Sequence, residues 1–487
     1  MNDININEAI ENAKEVLSSD KTLSPQVRTL LQLLVLIVQL LVNKLGLNSR
    51  NSSKPPSSDP FRARVRRKKA GAVKRRPGGQ PGHKGSQIEQ VAKPDVVETI
   101  EIDRTTLPKG HRYQHVGYDK RQVIDIIVKR EVTEYRAEVM RDERGNEFVA
   151  EFPAGVTRPA QYGAELKAKA VYMSQQQLIP YKRVEEFFRT QCDISVSTGS
   201  LFNFNKQAYE GLETFETAAR EKLIASDLLH NDETGINVGG KLLWLHSASN
   251  EKWTLFFAHE KRGGEAMKAM GILPNFKGIS VHDHWKPYFT FDCRHALCNS
   301  HYLRELERAW EQDGQMWAKN MKRWLEKVNV AVNRHNGKLP KKKAELYLKK
   351  YRALITRANR ECPEPEREGP IKRGRIKKSK ARNLLERLRD YETEVLRFMT
   401  DSRVPFTNNL SERDIRMTKV QQKISGCFRS IEGARIFCRV RSYLSTCRKH
   451  GVEPAESLRL LFAGKLPSSL CIIKKSQMTR PKGATAN

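Results

Sequence analysis

Three acidic residues stand where predicted secondary-structure elements end or begin. Asp232 follows a short apolar run in HNDETG, Asp283 ends another in VHDHW, and Glu412 opens a late helix in NNLSERDIR. Three carboxylates that converged in a fold would repel one another unless cations lay between them, and hard oxygen ligands suit Mg²⁺ or Mn²⁺. A pair of such ions activates the attacking oxygen and stabilises the leaving oxygen in phosphodiester chemistry. These residues are therefore predicted to be catalytic and metal-binding.

Two other acids compete for these roles. Glu233 is adjacent to Asp232 and is a direct alternative to it. Asp414 is two positions from Glu412 and so points to nearly the opposite side of the helix, which makes it the poorer candidate. A single Asp after a strand is commonly a turn residue. The prediction therefore depends on all three acids occurring at suitable elements in a suitable order.

The helix that Glu412 opens also carries a basic strip at helical spacing, which would hold phosphates beside the metal site. The alternative is a surface ion pair between Glu412 and Arg416, worth about 0.2–0.5 kcal/mol. Asn408 and Asn409 would cap the helix or touch DNA. The candidate DNA-binding residues in this half of the chain are Lys286, Arg304, Arg413, Arg416, Lys419 and Lys423.

The charge balance points to a polyanionic partner. Among 487 residues, 88 are Lys or Arg and 56 are Asp or Glu, a net charge of +32. Such an excess favours nucleic acid, because basic proteins gain affinity by releasing phosphate counterions. An association with ribosomes or anionic membranes would give a similar balance, so charge indicates the class of partner rather than the function.

Cysteine usage and the N-terminus indicate a cytoplasmic protein. None of the eight cysteines forms a C-x-x-C pair, and a chain of this size does not need a disulfide framework. The first residues are acidic and polar, unlike a signal peptide. The apolar stretch 30–42 has 13 residues, whereas a spanning helix needs about 20. No membrane association is predicted.

The N-terminal region, residues 1–50, is predicted to be helical, with one helix over 25–47. Apolar residues repeat there at alternating steps of three and four, the spacing of a coiled-coil seam. Two interpretations remain open: burial against other helices of the same chain, or oligomerisation. The seam residues are Val27, Leu30, Leu34, Ile37 and Leu41.

A flexible basic linker is predicted over 51–95. It begins with NSSKPPSSDP, and no acidic residue occurs between Phe61 and Ile88. With Gly and Pro interleaved it cannot form a core. It is interpreted as an arm along DNA phosphates, with a solvated tail as the alternative. The candidate DNA-binding residues of this arm are Arg66, Arg67, Lys68, Lys69, Arg75 and Arg76.

Two smaller segments follow. Residues 96–159 look β-rich, with VIDIIVKREVTEYRAEV partly alternating and a hairpin around Arg144-Gly145-Asn146. Residues 160–224 look helical, with two short helices joined by a polar turn that offers hydroxyl caps. A helix-turn-helix reader of the DNA major groove is one interpretation, and ordinary helical packing is the other. The available caps are Ser197, Thr198 and Ser200.

The remaining chain predicts an α/β catalytic core interrupted by helices. Three strands in hairpin succession, a helix and two more strands give the element order of a ribonuclease-H-like mixed sheet. In such a sheet the ends of the first and fourth strands are neighbours, and a later helix packs beside them. The predicted segments are the first core part 225–300, the helical insertion 301–400, the second core part 401–464 with the Glu412 helix, and a loose tail 465–487.

A cluster of Cys and His residues near the fifth strand is a second candidate metal site. Cys293, His295, Cys298 and His301 lie within nine residues. Cys293 and His295 would share a strand face that Cys298 does not, so zinc is not expected there. Cys298 and His301 are predicted instead to brace the start of the helical insertion.

Three residues around Asp283 could assist its chemistry. His282 and His284 flank it and could orient metal-bound water or contact DNA. Trp285 could stack on a frayed base, although packing in the core is the more common role for a Trp after a strand.

Several long strings resemble the transposases of the insertion sequence 66 family, a branch of the bacterial DDE transposases. They are VHDHWKPYF, HALCNSHYLREL, SKARNLLERLRDYE and RVPFTNNLSERDIRMTKVQQKISGCFRS, together with NSSKPPSSDP and GGQPGHKG near the N-terminus. The resemblance covers nearly the whole chain and implies Asp232, Asp283 and Glu412 as the catalytic triad. It implies cleavage of transposon ends and attack of the freed 3′-hydroxyl on target DNA, sometimes with helper proteins.

The chain departs from the family at one point. Many members carry a cysteine-rich zinc motif before the core, but residues 96–160 contain no cysteine, and His111 and His115 cannot replace four ligands. Zinc is therefore not predicted. The expected protein is a homo-oligomeric transposase that acts on DNA in the cytoplasm, associated with the nucleoid. A related nuclease without strand transfer and a DNA-binding protein with an inactive core are the alternatives.

Overall fold

A five-stranded mixed sheet forms the centre of the computed structural model. Its strands are β3 (Leu228–Val238), β4 (Lys241–Ser249), β5 (Thr254–His259), β6 (Ile279–His282) and β7 (Arg294–Leu297). Their order across the sheet is β5-β4-β3-β6-β7; β4 is antiparallel to both β3 and β5, and β6 and β7 run parallel to β3. The predicted mixed α/β class is confirmed. The structure describes residues 6–19, 22–45, 47–48, 50–52, 88–365, 376 and 378–470.

Glycines at two places, the β3–β4 turn and the residue before β6, fix the pairing of β3. Gly239 and Gly240 have positive φ values of 57° and 84° and join β3 to β4 in a two-residue turn, the geometry that twisted hairpins favour. Gly278 precedes β6, where a Cβ atom would lie 2.5 Å from the carbonyl oxygen of Asp227. The missing side chain lets β6 approach the start of β3 and sets their parallel register.

Helices on one side of the sheet share an aromatic core with it. Phe215 from the helix Glu213–Ile224, Tyr443 from the helix Ile431–Lys449 and Trp253 from the loop before β5 contact one another there. The ring centroids of Phe215 and Tyr443 lie 5.3 Å apart, and Trp253 stacks on Phe215. These contacts hold the late helices against the early part of the chain. The helices around this part of the domain are α3 (Ala164–Val171), α4 (Tyr181–Cys192), α5 (Thr198–Gly211), α6 (Glu213–Ile224), α7 (Gly264–Met270), α13 (Asn409–Ser425), α14 (Ile431–Lys449) and α15 (Pro454–Phe462).

A second hydrophobic cluster joins β6 to the helices inserted between β7 and α13. Ile279 and Val281 of β6 belong to it, and the buried Tyr351 hydroxyl donates to the Leu388 carbonyl oxygen at 2.7 Å. Since the cluster includes a strand of the sheet, the inserted helices are packed onto the core. They are α8 (Asn299–Glu311), α9 (Met316–Arg334), α10 (Lys341–Glu361), α11 (Lys380–Asp390) and α12 (Glu392–Leu396).

The N-terminal helices are α1 (Ile6–Ser19) and α2 (Pro25–Leu45). The coiled-coil seam of α2 is exposed: Leu30 is 67% and Leu34 57% accessible, so burial within the same chain is the wrong interpretation. By length and composition Pro25–Val42 could cross a membrane, with a mean hydropathy of 1.7, so the apolar stretch is longer than predicted. One such helix near an N-terminus is weak support for a membrane span.

The β-rich prediction for 96–159 is largely wrong. Regular strands there are limited to β1 (Val139–Arg141) and β2 (Glu147–Val149), which pair around a turn in which Asp142 accepts from Asn146. Most of the remaining segment has no regular secondary structure and is exposed, and Val123 is 94% accessible. Alternating β-branched residues form strands when a partner and an apolar surface are present, and the described part of this chain offers neither to them.

Candidate active site

Asp232 lies in β3 at the middle of the sheet. It is paired with Ser247 of β4, and its Oδ1 accepts a hydrogen bond from the Glu233 backbone N–H at 2.9 Å. Burial, followed by the charge of Glu233, raises the pKa of Asp232 to about 7. No cation pairs with this carboxylate among the described residues. Asp232 is thus a carboxylate that the fold keeps destabilised near neutral pH.

Glu233 has a different environment. Its side chain is 2% exposed, accepts from Arg262 Nη2 at 2.8 Å and accepts from the Tyr288 hydroxyl at 2.6 Å. Burial and the charge of Asp283 still raise its pKa, against the hydrogen bonds that lower it. Arg262 in turn lies over the ring of Trp285, 4.2 Å from its centroid. The Glu233 carboxylate is therefore already bound by Arg262 and Tyr288, whereas that of Asp232 has no cationic partner among the described residues.

Asp283 directly follows β6. The parallel register pairs Leu228 with Ile279 and His230 with Val281, and two more steps bring Asp283 level with Asp232. Its Oδ1 accepts from the Trp285 backbone N–H at 3.0 Å. The charge of Asp283 contributes to the raised pKa of Asp232. Asp232 lies inside β3, not after it as the sequence predicts, and the pairing of β3 with β6 still brings these two acids together.

Buried polar contacts fix the start of α13 onto β3 and β4. Asn408 Nδ2 donates to the Asn231 carbonyl oxygen at 2.8 Å, and its Oδ1 lies 2.7 Å from His230 Nδ1. Ser411 and Ser247 share a hydrogen bond of 2.6 Å. Glu412, the next residue, is therefore held beside the part of β3 and β4 that contains Asp232. Its buried Oε1 has no hydrogen-bond partner within the described structure.

The asparagine contacts correct the capping prediction. Asn408 occupies the N-cap position of α13 but makes no side-chain cap bond, because its amide is used to join the helix to β3. At α5 the expected cap is present, since the Ser197 hydroxyl accepts from the Ser200 N–H. Asp414 faces away from the acidic site, as expected: it accepts from Lys449 at 3.0 Å and from Thr254.

A group that sequence reasoning found only in part, naming Cys298 and His301 but not Glu412 with them, lies near Asp232. Ligand atoms of Cys298, His301 and Glu412 lie within 4.8 Å of one another, whereas Asp232 and Asp283 are outside this group. Burial opposes charge on Cys298, but the hydrogen bond and charge of His301 outweigh it and lower the thiol pKa. The C-x-x-H spacing of Cys298 and His301 is visible in the sequence. Glu412, the third member of the group, can be identified only from the packing of α13.

The other two residues of the Cys/His cluster near the fifth strand are separate from this group. His295 Nδ1 lies 3.0 Å from His282 Nε2, and Cys293 belongs to the rim of the first hydrophobic cluster. Burial lowers the pKa of His282 to about 3 and of His284 to about 4, which favours the neutral imidazole in both.

The predicted basic residues differ in exposure. Arg413, Arg416 and Lys423 are exposed on α13, and Lys286 is exposed beside Asp283, whereas Arg304 is half-buried. Among the described ion pairs, none joins Glu412 to Arg416. Lys419 is used within the fold, where it donates to the Gly235 carbonyl oxygen at 2.7 Å. The residues of the basic arm lie outside the described residues: Arg66, Arg67, Lys68, Lys69, Arg75 and Arg76.

These elements define a mixed α/β protein whose sheet carries a buried acidic cluster beside an exposed basic helix. The model of the transposase IS66 family matches residues 159–436, more than half of the chain. The chain belongs to that family, which confirms the resemblance found in the sequence, supports a transposase role and implies DNA binding. Residues 2–89 match a family of unknown function (DUF6444), and the curated proteins searched gave no match.

Proposed function

We propose that this protein is a metal-dependent DNA transposase in which Asp232, Asp283 and Glu412 form the catalytic triad. The observation that carries the proposal is their common location. The register of β3 and β6 brings Asp283 level with Asp232, and the contacts of Asn408 and Ser411 hold Glu412 beside the same strand. In this proposal, acids from three distant segments of the chain would supply the ligands of one metal site beside the central strand of the sheet.

The strand arrangement supports a ribonuclease-H-like core. Three antiparallel strands in chain order are followed by two parallel strands on the far side of the first, in the order β5-β4-β3-β6-β7. The inserted helices α8–α12 separate the strand that leads to Asp283 from the helix that carries Glu412. This connectivity is the one inferred from the sequence.

The chemistry of the three acids fits Mg²⁺ or Mn²⁺. Asp232 is a carboxylate with a raised pKa, and Glu412 has a buried oxygen without a hydrogen-bond partner in the described structure. A hard divalent cation would compensate both, since carboxylate oxygens are its preferred ligands. When bound, such a metal would activate the attacking oxygen and neutralise charge on the leaving oxygen.

The protein's own groups would position the DNA. Exposed guanidinium and ammonium groups at Arg413, Arg416 and Lys286 lie on the elements that carry Glu412 and Asp283. They would bind phosphates on either side of the scissile bond, so that water cleaves one strand and the freed 3′-hydroxyl then attacks target DNA. In this role they supply orientation, which accounts for much of the rate in phosphoryl transfer.

The test is a plasmid that carries the DNA flanking this gene. Wild-type protein and Mg²⁺ should produce end-specific junctions, recovered by sequencing, and Asp283→Asn should lose them. Asp292→Asn is the matched control, because its carboxylate is 97% exposed and pairs with Lys277 at the surface. Equal junctions from wild type and Asp283→Asn would refute the triad.

Two other outcomes distinguish the alternatives. Metal-dependent nicks without junctions would favour the related nuclease, or a missing helper protein, and adding neighbouring gene products would separate the two. DNA binding without nicks or junctions would identify a DNA-binding protein with an inactive core. Binding alone decides nothing, because all three functions require it.

The proposed assembly is a homo-oligomer on DNA. Joining two transposon ends calls for more than one active site, and the exposed seam of α2 offers an apolar surface for a second copy. Such an assembly, with a net charge of +32 on each chain, would associate with the nucleoid.

A further inference from the structure

A mixed set of metal-binding side chains lies next to the acidic cluster. Cys298 is the residue immediately before α8, His301 lies in the first turn of α8, and Glu412 lies in the first turn of α13. Their ligand atoms are within 4.8 Å of one another. The Asn408 backbone N–H donates to the Cys298 sulfur at 3.1 Å and thereby joins the two helix starts.

We propose that Cys298, His301 and Glu412 bind a soft divalent cation of the zinc class, and that this cation holds Glu412 away from the hard-cation site. The second clause rests on the proposed function, in which Glu412 serves the catalytic metal. The two metals would compete for one carboxylate, and zinc would act as an inhibitor of a magnesium-dependent enzyme.

The donor set selects the metal. A thiolate and an imidazole bind Zn²⁺ far more strongly than Mg²⁺, which prefers oxygen ligands and retains its water. Ligands on tetrahedral zinc at about 2.0–2.3 Å lie roughly 3.3–3.8 Å apart, so side-chain movements of about 1 Å would close this group around the ion. Binding would release the thiol proton of Cys298 to solvent.

Two buried atoms support the assignment. Glu412 Oε1 and His301 Nδ1 are inaccessible to solvent and have no hydrogen-bond partner within the described structure. Buried polar groups without partners are uncommon and costly. A shared cation would satisfy atoms that packing alone leaves unpaired. Cys293 and His295, the other two residues of the sequence cluster, are not part of the group.

The first experiment measures metal binding on the intact, metal-stripped protein. Co²⁺ should give a thiolate-to-metal charge-transfer band, and Zn²⁺ should displace it at one equivalent. Cys298→Ser should abolish the band and weaken zinc binding at least tenfold, as measured against a chromophoric chelator. Cys293→Ser is the control and should keep both. Circular dichroism establishes that each variant is folded.

An unchanged zinc affinity in folded Cys298→Ser, or no band in the wild type, would overturn the site. His301→Gln provides a second variant with the same expected loss. These readouts need no enzymatic activity, so they decide the site even if the transposase proposal fails.

The second experiment measures the competition. Zinc at one equivalent should inhibit magnesium-dependent DNA cleavage by the wild type, and a zinc-selective chelator that leaves Mg²⁺ in solution should restore it. In Cys298→Ser, compared with its own rate without zinc, inhibition should require at least tenfold more zinc. Zinc that binds at this site yet leaves cleavage unaffected would show that Glu412 is not shared between two metals.

Discussion

The Asp232 carboxylate is largely buried and its negative charge is offset mainly by a single backbone hydrogen bond, so its ionisation lowers the stability of the folded protein. Burial raises its pKa from 3.8 to about 7, so the folded protein resists losing this proton. The associated stability is fully present below the unfolded-state pKa and is lost as pH rises to about 7, by up to roughly 4 kcal/mol. A carboxylate maintained at this cost is typical of functional sites.

We therefore expect Asp232→Asn to stabilise the protein while abolishing DNA cleavage. In chelator, its unfolding free energy should exceed that of wild type by an amount that grows by up to roughly 3 kcal/mol between about pH 5 and about pH 8. Urea unfolding at the two pH values measures this. The asparagine Oδ1 can still accept from the Glu233 N–H, so the local hydrogen bond is retained.

Magnesium provides the complementary measurement for this variant. Mg²⁺ should raise the melting temperature of wild type, because it binds the folded state alone, and should leave Asp232→Asn nearly unchanged. An equal shift in both proteins would mean that Asp232 is not a metal ligand.

At the scale of elements, the position of Glu412 depends on how firmly the first turn of α13 is held against the sheet. Asn408→Ala removes the partners of His230 and the Asn231 carbonyl oxygen, both buried. We expect a loss of roughly 2–4 kcal/mol in unfolding free energy, because buried polar groups left unpaired cost about 1–3 kcal/mol each. DNA cleavage by the folded variant should fall about tenfold or more, since Glu412 would be misplaced.

The neighbouring residue supplies the control for this anchor. Asn409 is exposed, so Asn409→Ala should change stability by less than about 0.5 kcal/mol and leave cleavage intact. Matching losses in the two variants would show that the helix start is generally sensitive to substitution rather than fixed by Asn408.

The elements also show what the sequence could and could not predict. Apolar runs that end in Asp232 and Asp283 are strong local signals, and parallel pairing then brings their ends together. The segment 96–159 carries a similar β-branched signal but is mostly irregular and exposed, because strands depend on partners that local pattern does not supply. The Cys298–His301–Glu412 group was found only in part because it depends on how α13 packs, which no spacing encodes.

At the scale of the whole molecule, the seam of α2 predicts self-association. Leu34 and Leu41 are 57% and 52% exposed, and pairing of two α2 helices would bury them. Leu34→Glu with Leu41→Glu should shift the protein to monomers in sedimentation velocity and reduce junction formation more than strand cleavage. Gln32→Glu, on the side away from the seam, adds charge without this effect. An unchanged oligomer in the double variant would remove α2 from the interface.

The net charge of +32 predicts that DNA affinity falls as the salt concentration rises. The residues that contact phosphates determine how steeply it falls. Replacing Arg66, Arg67, Lys68 and Lys69 with Ser should lower the slope of log K against log salt by about 3–4, since each phosphate contact contributes about 0.9 on duplex DNA. Fluorescence anisotropy at several salt concentrations measures both slopes. Base-sequence preference should be unchanged, because phosphate contacts carry no sequence information.

Removing the same amount of charge from another part of the molecule provides the control. Four exposed lysines lie on α10, within the helical insertion, and their replacement with Ser removes an equal charge while leaving the arm intact. If these four residues lowered the slope as much as the arm residues, overall charge rather than the arm would govern binding, and the interpretation of 51–95 as a DNA-binding arm would be wrong. A change confined to the arm variant would place the phosphate contacts there. The control residues are Lys341, Lys342, Lys349 and Lys350.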